Sequence, residues 1–385
     1  MRGIDKMKVC GIVVEYNPFH NGHIYHINKA REISECDILI AIMSPTFMQR
    51  GEPAIIDKFT RTKFALDNNI DLVIELPSVY AMQSADHFGE GALTLLNELN
   101  IDTLVFGSEN NNIDKLIKAS KISLKEEYQD KVKEYLSDGQ RYASACNLAF
   151  KDFSINNINQ ANDILGFSYI KAIVKYNYQI KPLSIQRTNE FLSNDINSNI
   201  ASASAIRNAL TNNVDISNLT PMADILIKNN NLYIDDLFDT LKYVLTTIEI
   251  DKLKEIQGFD EGLEYLFLNN IHLSNNMEDF IKRITSKRYP QTRIQRAIIH
   301  LIANISKEDI SNIDVDYIRV LGMNHRGQEY LKSLNTNYNV ITRFAQHKNK
   351  ALDIELKLSR IYGQLAKTNL GEKEYKQPVI IKKQD

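Results

Sequence analysis

Cysteine is scarce. Cys10, Cys36 and Cys146 lie far apart and form no CxxC pair, which argues against a disulfide framework or a thiolate zinc site and fits a reducing compartment. No run of 18 apolar residues occurs, so no transmembrane helix is expected. Met1–Lys8 is charged and lacks the long apolar core of a signal peptide, so the expected location is the cytoplasm. A second methionine at position 7 marks Met1–Lys6 as an extension expected to lie outside the fold. No GxxxxGK[ST] segment occurs, so a P-loop is excluded. Proline thins out toward the C-terminus: beyond residue 211 only Pro221, Pro290 and Pro378 occur.

What is present is globular. Hydrophobic residues make up 43% and charged residues 24% of 385, enough for two or three domains that bury a core without staples. Net charge is −2 and points to no partner. Its distribution is more informative. Between Phe280 and Arg296 stand Lys282, Arg283, Lys287, Arg288, Arg293 and Arg296, with no acidic residue. Arg343, His347, Lys348 and Lys350 form a second group. Such a face suits a polyanion, or is simply a solvated helix face.

The first two hundred residues alternate strand and helix patterns. Apolar runs at Lys8–Tyr16, Asp37–Met43, Asp71–Leu76 and Asp102–Phe106 read as buried parallel strands, with Ile185 in a further candidate. Helical spacing occupies Ile24–Ile33, Asp57–Asp67, Ala85–Leu99, Ala161–Lys175 and Ser202–Leu210. The implied fold class is α/β, a Rossmann-like parallel sheet built from right-handed crossovers. After residue 211 the spacing is helical in Leu237–Thr247, Leu263–Leu268, Asp279–Ile284, Thr292–Ile305 and Ile354–Leu365. The expected organisation is a nucleotide-binding catalytic domain over 1–210 and a mostly helical domain over 211–385.

The chemistry is concentrated in VVEYNPFHNGHIYH, running Val13, Val14, Glu15, Tyr16, Asn17, Pro18, Phe19, His20, Asn21, Gly22, His23, Ile24, Tyr25 and His26. A strand gives way to a turn and then a helix near Gly22, at the carboxyl end of the sheet where ligands bind in open α/β folds. The helix N-terminus offers free N–H groups and a positive dipole end to a phosphate. Gly22 lets the backbone approach. His20 and His23 are placed to donate to phosphate oxygens and to stabilise charge at phosphorus. A metal set of His20, His23 and His26 is disfavoured, because His20 lies ahead of the helix and the three rings are expected not to converge. His26 either lines the pocket or solvates the helix. Downstream, Ser202 or Ser204 can cap a helix in which Arg207 reaches a phosphate. Arg50 is either a ligand for a carboxylate or phosphate or a solvated loop arginine, and Asp57 reads as a helix cap.

HxGH followed much later by SxSxIR resembles the nucleotidylyltransferase superfamily. GIVVEYNPFHNGHIYH, MSPTFMQRGEPAIIDKFTR, FGSE, NDILGFSYI, SASAIR, KRYPQTRIQR and YIRVLGMNHRGQEYL, in that order, resemble the bacterial tRNA(Met) cytidine acetate ligase family over nearly the whole chain. The resemblance implies activation of acetate by ATP to acetyl-adenylate, then transfer to N4 of the wobble cytidine of elongator tRNA(Met). It implies ATP contacts from Val13–His26, Gly107, Asn162 and Arg187. Gly107 would let adenine or ribose pack on backbone, and Asn162 would offer both a donor and an acceptor. Mg²⁺ is expected on the leaving pyrophosphate. Lys282, Arg283, Lys287, Arg288, Arg293 and Arg296 are the candidate tRNA-backbone contacts. No membrane and no obligate protein partner are expected. Two other readings stay open: an adenylyltransferase that joins AMP to a small phosphorylated metabolite, and a nucleotide-binding RNA module without turnover.

Overall fold

A computed structural model describes residues 7–155, 158–187 and 200–383; the Met1–Lys6 extension and part of the Asn156–Asn162 loop lie outside them. The chain runs β1 (Val9–Val14), α1 (Asn21–Ser34), β2 (Ile38–Met43), α2 (Lys58–Asp67), β3 (Leu72–Glu75), α3 (Ala85–Glu98), β4 (Thr103–Ser108), α4 (Ala161–Tyr176), β5 (Lys181–Gln186) and α5 (Ala203–Thr211). It continues through α6 (Met277–Ile284), α7 (Gln291–Ile302), β6 (Tyr317–Met323), α8 (His325–Ser333), β7 (Asn339–Ile341), α9 (Lys350–Leu365), α10 (Leu370–Lys376) and β8 (Ile380–Ile381), with further helices between the named elements.

The strand order is β5-β4-β1-β2-β3-β6-β7, with β8 beside β6. Strands β1 to β5 are mutually parallel, as their unbroken apolar runs predict. In β2 the alternation is direct: Leu39, Ala41 and Met43 join one buried cluster, while Ile38, Ile40 and Ile42 join the other. Both faces of the sheet are therefore covered. The chain leaves β1 toward β2 and β3 on one side and later returns to β4 on the other. That reversal opens a crevice at the carboxyl ends of β1 and β4.

The segment after residue 211 is largely helical but is not confined to helices. It supplies β6, which pairs antiparallel with β3, and β7 and β8, which flank β6. The sheet thus crosses residue 211 and is mixed rather than wholly parallel. Arg319 in the middle of YIRVLGM hid this strand, because a charge in a fully buried run breaks the apolar signal. A buried ion cluster neutralises it. Arg319 and Lys58 meet Glu75 and Glu374, and Lys58 also meets Glu355, with neither lysine nor carboxylate exposed. Three carboxylates face two cations, so one proton balances the cluster. Burial pushes both Glu75 and Glu374 upward. For Glu374, Arg319 and Lys58 outweigh burial and hold the group down at about 2, whereas Glu75 sits up at about 7.

Candidate active site

The crevice is a cavity of about 540 Å³. The sequence motif forms one wall. Val13, Val14, Glu15, Tyr16, Asn17, His20, Gly22, His23, Tyr25 and His26 line it, and Gly107, Asn162, Arg187, Ser204 and Arg207 close it from the other elements. Four motif residues do not face it. Phe19 is fully buried against Tyr16 and His23, and Pro18 and Ile24 pack away from the cavity. Asn21 turns outward, its backbone and amide N–H groups donating to Leu219 O and Asn218 O.

The helix N-terminus is not an open row of donors. The N–H of Asn21 goes to Leu219 O, that of Gly22 to Nδ1 of His20 at 3.1 Å, and that of His23 to the His20 carbonyl at 2.8 Å. His20 itself is the N-cap, a role in which its ring nitrogen replaces the usual hydroxyl or carboxylate oxygen. The positive end of the dipole remains, but side chains must supply the donors.

The imidazoles do so. The rings of His20 and His23 stack with centroids 3.8 Å apart. Nδ1 of His20 accepts from Gly22, and Nδ1 of His23 accepts from the His20 N–H at 3.2 Å. An accepting Nδ1 fixes the proton on Nε2. Neither Nε2 has a partner among the described residues. Burial, with the Arg187 charge added, pulls His20 down to about 3 and His26 down to about 4, and burial with the neighbouring imidazoles lowers His23 as well. All three rings are neutral at pH 7. Among the described residues no group of three or more His, Cys, Asp or Glu is arranged to hold a metal ion. A Mg²⁺ carried on nucleotide phosphates needs no such group.

Several predicted contacts are already occupied by protein. The Asn162 amide donates to Glu109 at 2.6 Å and accepts from Arg187 at 3.0 Å, so it holds Arg187 rather than presenting a free edge. Arg187 in turn lies over Gly107, where a Cβ would meet its Cδ at 3.3 Å. Arg207 donates to the Asn17 carbonyl at 2.7 Å and to Glu52 at 2.6 Å; it braces the motif loop instead of reaching out as a bidentate phosphate clamp. Ser202 Oγ caps α5 through the Ala205 N–H, and Asp57 caps α2 through Thr60.

Arg61 escaped the sequence reading. Fully buried on α2, it donates to the carbonyls of Glu15, Ser44, Ile56 and Pro45, drawing together the ends of β1 and β2 and the loop between β2 and α2. The only signal in the sequence was a charge on the apolar side of a helix. Arg50, Gln49, Glu52 and Tyr169 also line the cavity.

The basic residues of α6 and α7 lie outside this cavity. Arg283 pairs with Asp279. Arg288 and Arg293 flank Glu261 at 3.6 and 3.1 Å and lie near the Tyr289 ring. Arg288 is 62% exposed. Arg296 is part-buried against Gln49. In the second group, His347 is paired with Asp316 at 2.8 Å beyond the β6 edge.

A family model described as HIGH Nucleotidyl Transferase matches residues 7–378. A tRNA(Met) cytidine acetate ligase of Oceanobacillus iheyensis is 40% identical, the match spanning 97% of this chain and 100% of that protein. The one from Bacillus subtilis is 36% identical over 92% of each. Among solved structures, Thermotoga maritima TmcAL bound with alpha-thio ATP superposes with a TM-score of 0.89 at 31% identity, covering 98% of this chain and 100% of that one.

Proposed function

Because the chain belongs to the tRNA(Met) cytidine acetate ligases of the HIGH nucleotidyl transferase family, we propose that its crevice is the seat of a two-step ATP-dependent acetylation of tRNA. The enzyme is a ligase that uses ATP and acetylates a cytidine of tRNA(Met). Acetate is the acyl source, N4 of the wobble cytidine in elongator tRNA(Met) is the acceptor, and the cytoplasm, where charged and uncharged tRNA circulate, is the site of action.

In the first step an acetate oxygen attacks the α-phosphorus, the bond to the pyrophosphate oxygen breaks, and acetyl-adenylate forms. His20 and His23 aim Nε2–H donors at phosphate oxygens from a dry, preorganised wall. Being neutral already, they need no proton transfer to do so. The cavity-facing residues of Val13–His26 cradle the triphosphate. Gly107 admits the nucleoside beside Arg187, and Asn162 holds that guanidinium in place. Ser204 and Arg207 close the loop from α5. A Mg²⁺ carried on the nucleotide would neutralise pyrophosphate charge. In the second step the cytidine amine attacks the acetyl carbon, AMP leaves, and the amine nitrogen gives up a proton.

For tRNA, Lys282, Arg283, Lys287, Arg288 and Arg293 form the docking face. Phosphate contacts of this kind position an RNA without reading it, and an unpaired anticodon base can be splayed toward a pocket. The helical segment after residue 211 is the part that presents this face, and residues 1–210 carry the adenylation chemistry.

The observation that carries the reading is the stacked imidazole pair, its two Nε2 atoms unclaimed by the described protein residues at the mouth of the β1/β4 crevice. The test is nucleoside mass spectrometry of elongator tRNA(Met) incubated with protein, ATP and labelled acetate. Labelled N4-acetylcytidine at the wobble position is expected. Pyrophosphate release that depends on a phosphorylated small acceptor and not on acetate would replace the proposal with the adenylyltransferase alternative.

A further inference from the structure

Arg296 belongs by sequence to the basic cluster, yet its surroundings are those of the pocket. Gly51 lies at φ +78° in the loop Met48–Glu52, and a Cβ there would fall 2.4 Å from the Arg296 backbone nitrogen. The loop therefore rests directly on the backbone of α7, at a position only glycine can occupy. From that helix Nη1 of Arg296 donates to the Gln49 carbonyl at 3.0 Å. The Gln49 N–H donates to Oε1 of Glu15 at 2.7 Å, and its side-chain amide to the Gln83 carbonyl at 3.0 Å. Gln49, Arg50 and Glu15 all line the cavity. No carboxylate pairs with Arg296 among the described residues, whereas Arg283, Arg288 and Arg293 each have one. Burial, with Arg293 nearby, pulls the Arg296 guanidinium down to about 10, as expected of a cation turned inward rather than toward solvent phosphate.

We propose that Arg296 is a positioning residue for adenylation, not a tRNA contact: with Glu15 it clamps the Gln49 peptide from both sides and so sets the adjoining Arg50 toward the reacting carboxylate and α-phosphate. This rests on the crevice being the ATP site. It divides the basic cluster in two, with Lys282, Arg283, Lys287, Arg288 and Arg293 facing RNA and Arg296 serving the chemistry.

The experiment measures acetate-dependent ATP–pyrophosphate exchange without tRNA, alongside tRNA affinity, for R296A, R296K and G51A. R296A is expected to lower kcat/KM for acetate by about 10–10²-fold, the cost of a small misplacement at a reacting centre, with tRNA affinity unchanged. R296K restores most of the exchange, because one Nζ–H can still reach the Gln49 carbonyl. G51A leaves every charge in place but forces the loop off α7, and it reproduces the R296A loss. Should R296A fold poorly, R296K and G51A carry the test. Weakened tRNA binding with exchange intact in R296A overturns the proposal, as does exchange in R296K no better than in R296A. Absence of exchange in the unaltered protein would instead remove the ATP-site reading on which the proposal stands.

Discussion

The backbone N–H of His20 donates to Nδ1 of His23 at 3.2 Å, and this one bond decides which nitrogen of His23 carries the proton. The Gly22 N–H does the same for His20. Asparagine can imitate the Nδ1 side of each ring but not the Nε2 side. H20N is therefore expected to fold normally, asparagine being a good N-cap, and H23N keeps an oxygen acceptor for the His20 N–H. Each should lose about 10²–10³ in acetyl-adenylate formation, the usual effect of removing one preorganised donor. Exchange assays paired with thermal melts check this. A rate near that of the parent in either variant would remove that ring from the mechanism.

The burial of these imidazoles fixes a pH expectation. His20 and His26 are pulled down to about 3 and about 4 by burial and the Arg187 charge, so the free enzyme does not charge either ring on acidification from pH 8 to pH 5. The kcat/KM profile for ATP should show no imidazole limb in that window. An ionisation near the ordinary histidine value of about 6.5 would mean that the rings are solvated.

The RNA face makes a separable prediction. Removing Arg288 and Arg293 together should weaken tRNA binding and flatten the dependence of log K on log salt by about one for each phosphate no longer neutralised. Adenylate formation without tRNA should be preserved, since neither side chain reaches the cavity. An unchanged salt slope would place the RNA elsewhere.

Lys58 and Glu75 carry a stability prediction. K58M strands three buried carboxylates around Arg319 alone and is expected to cost about 3–5 kcal/mol in denaturant unfolding, the usual penalty for breaking a buried ion network from one side. E75Q removes the surplus negative charge and should be mild. Glu75 is raised in the folded state to about 7, so the native protein holds a proton that the unfolded chain releases above its ordinary carboxyl range. This group's own contribution falls as pH rises toward 7, against the opposite contribution of the imidazoles held low by burial, so the parent should lose stability relative to E75Q as pH rises toward 7.

The parallel core and its helices were legible because uninterrupted Val- and Ile-rich runs such as ILIAIM have one physical solution, a strand buried on both faces. The pocket wall was legible because HNGH at a strand–helix junction has few structural uses. Side-chain saturation was not legible. Nothing in the sequence says that Asn162 is taken by Glu109 and Arg187, that Arg207 braces Asn17 and Glu52, or that the first amides of α1 are capped from within. These depend on partners brought together by tertiary folding. Strand β6 stayed hidden for a related reason: Arg319 looks like a surface charge until Glu75 and Glu374 are placed beside it.

The antiparallel seam between β3 and β6 has a consequence for how the protein is made. Glu75 and Arg319 lie 244 residues apart. At ordinary translation rates the outer edge of β3 therefore leaves the ribosome on the order of 10–50 s before its neighbour exists. Throughout that interval a nascent chain carries an adhesive, unsatisfied margin. Polypeptides that stop short of β6 should clump rather than yield a working adenylating fragment.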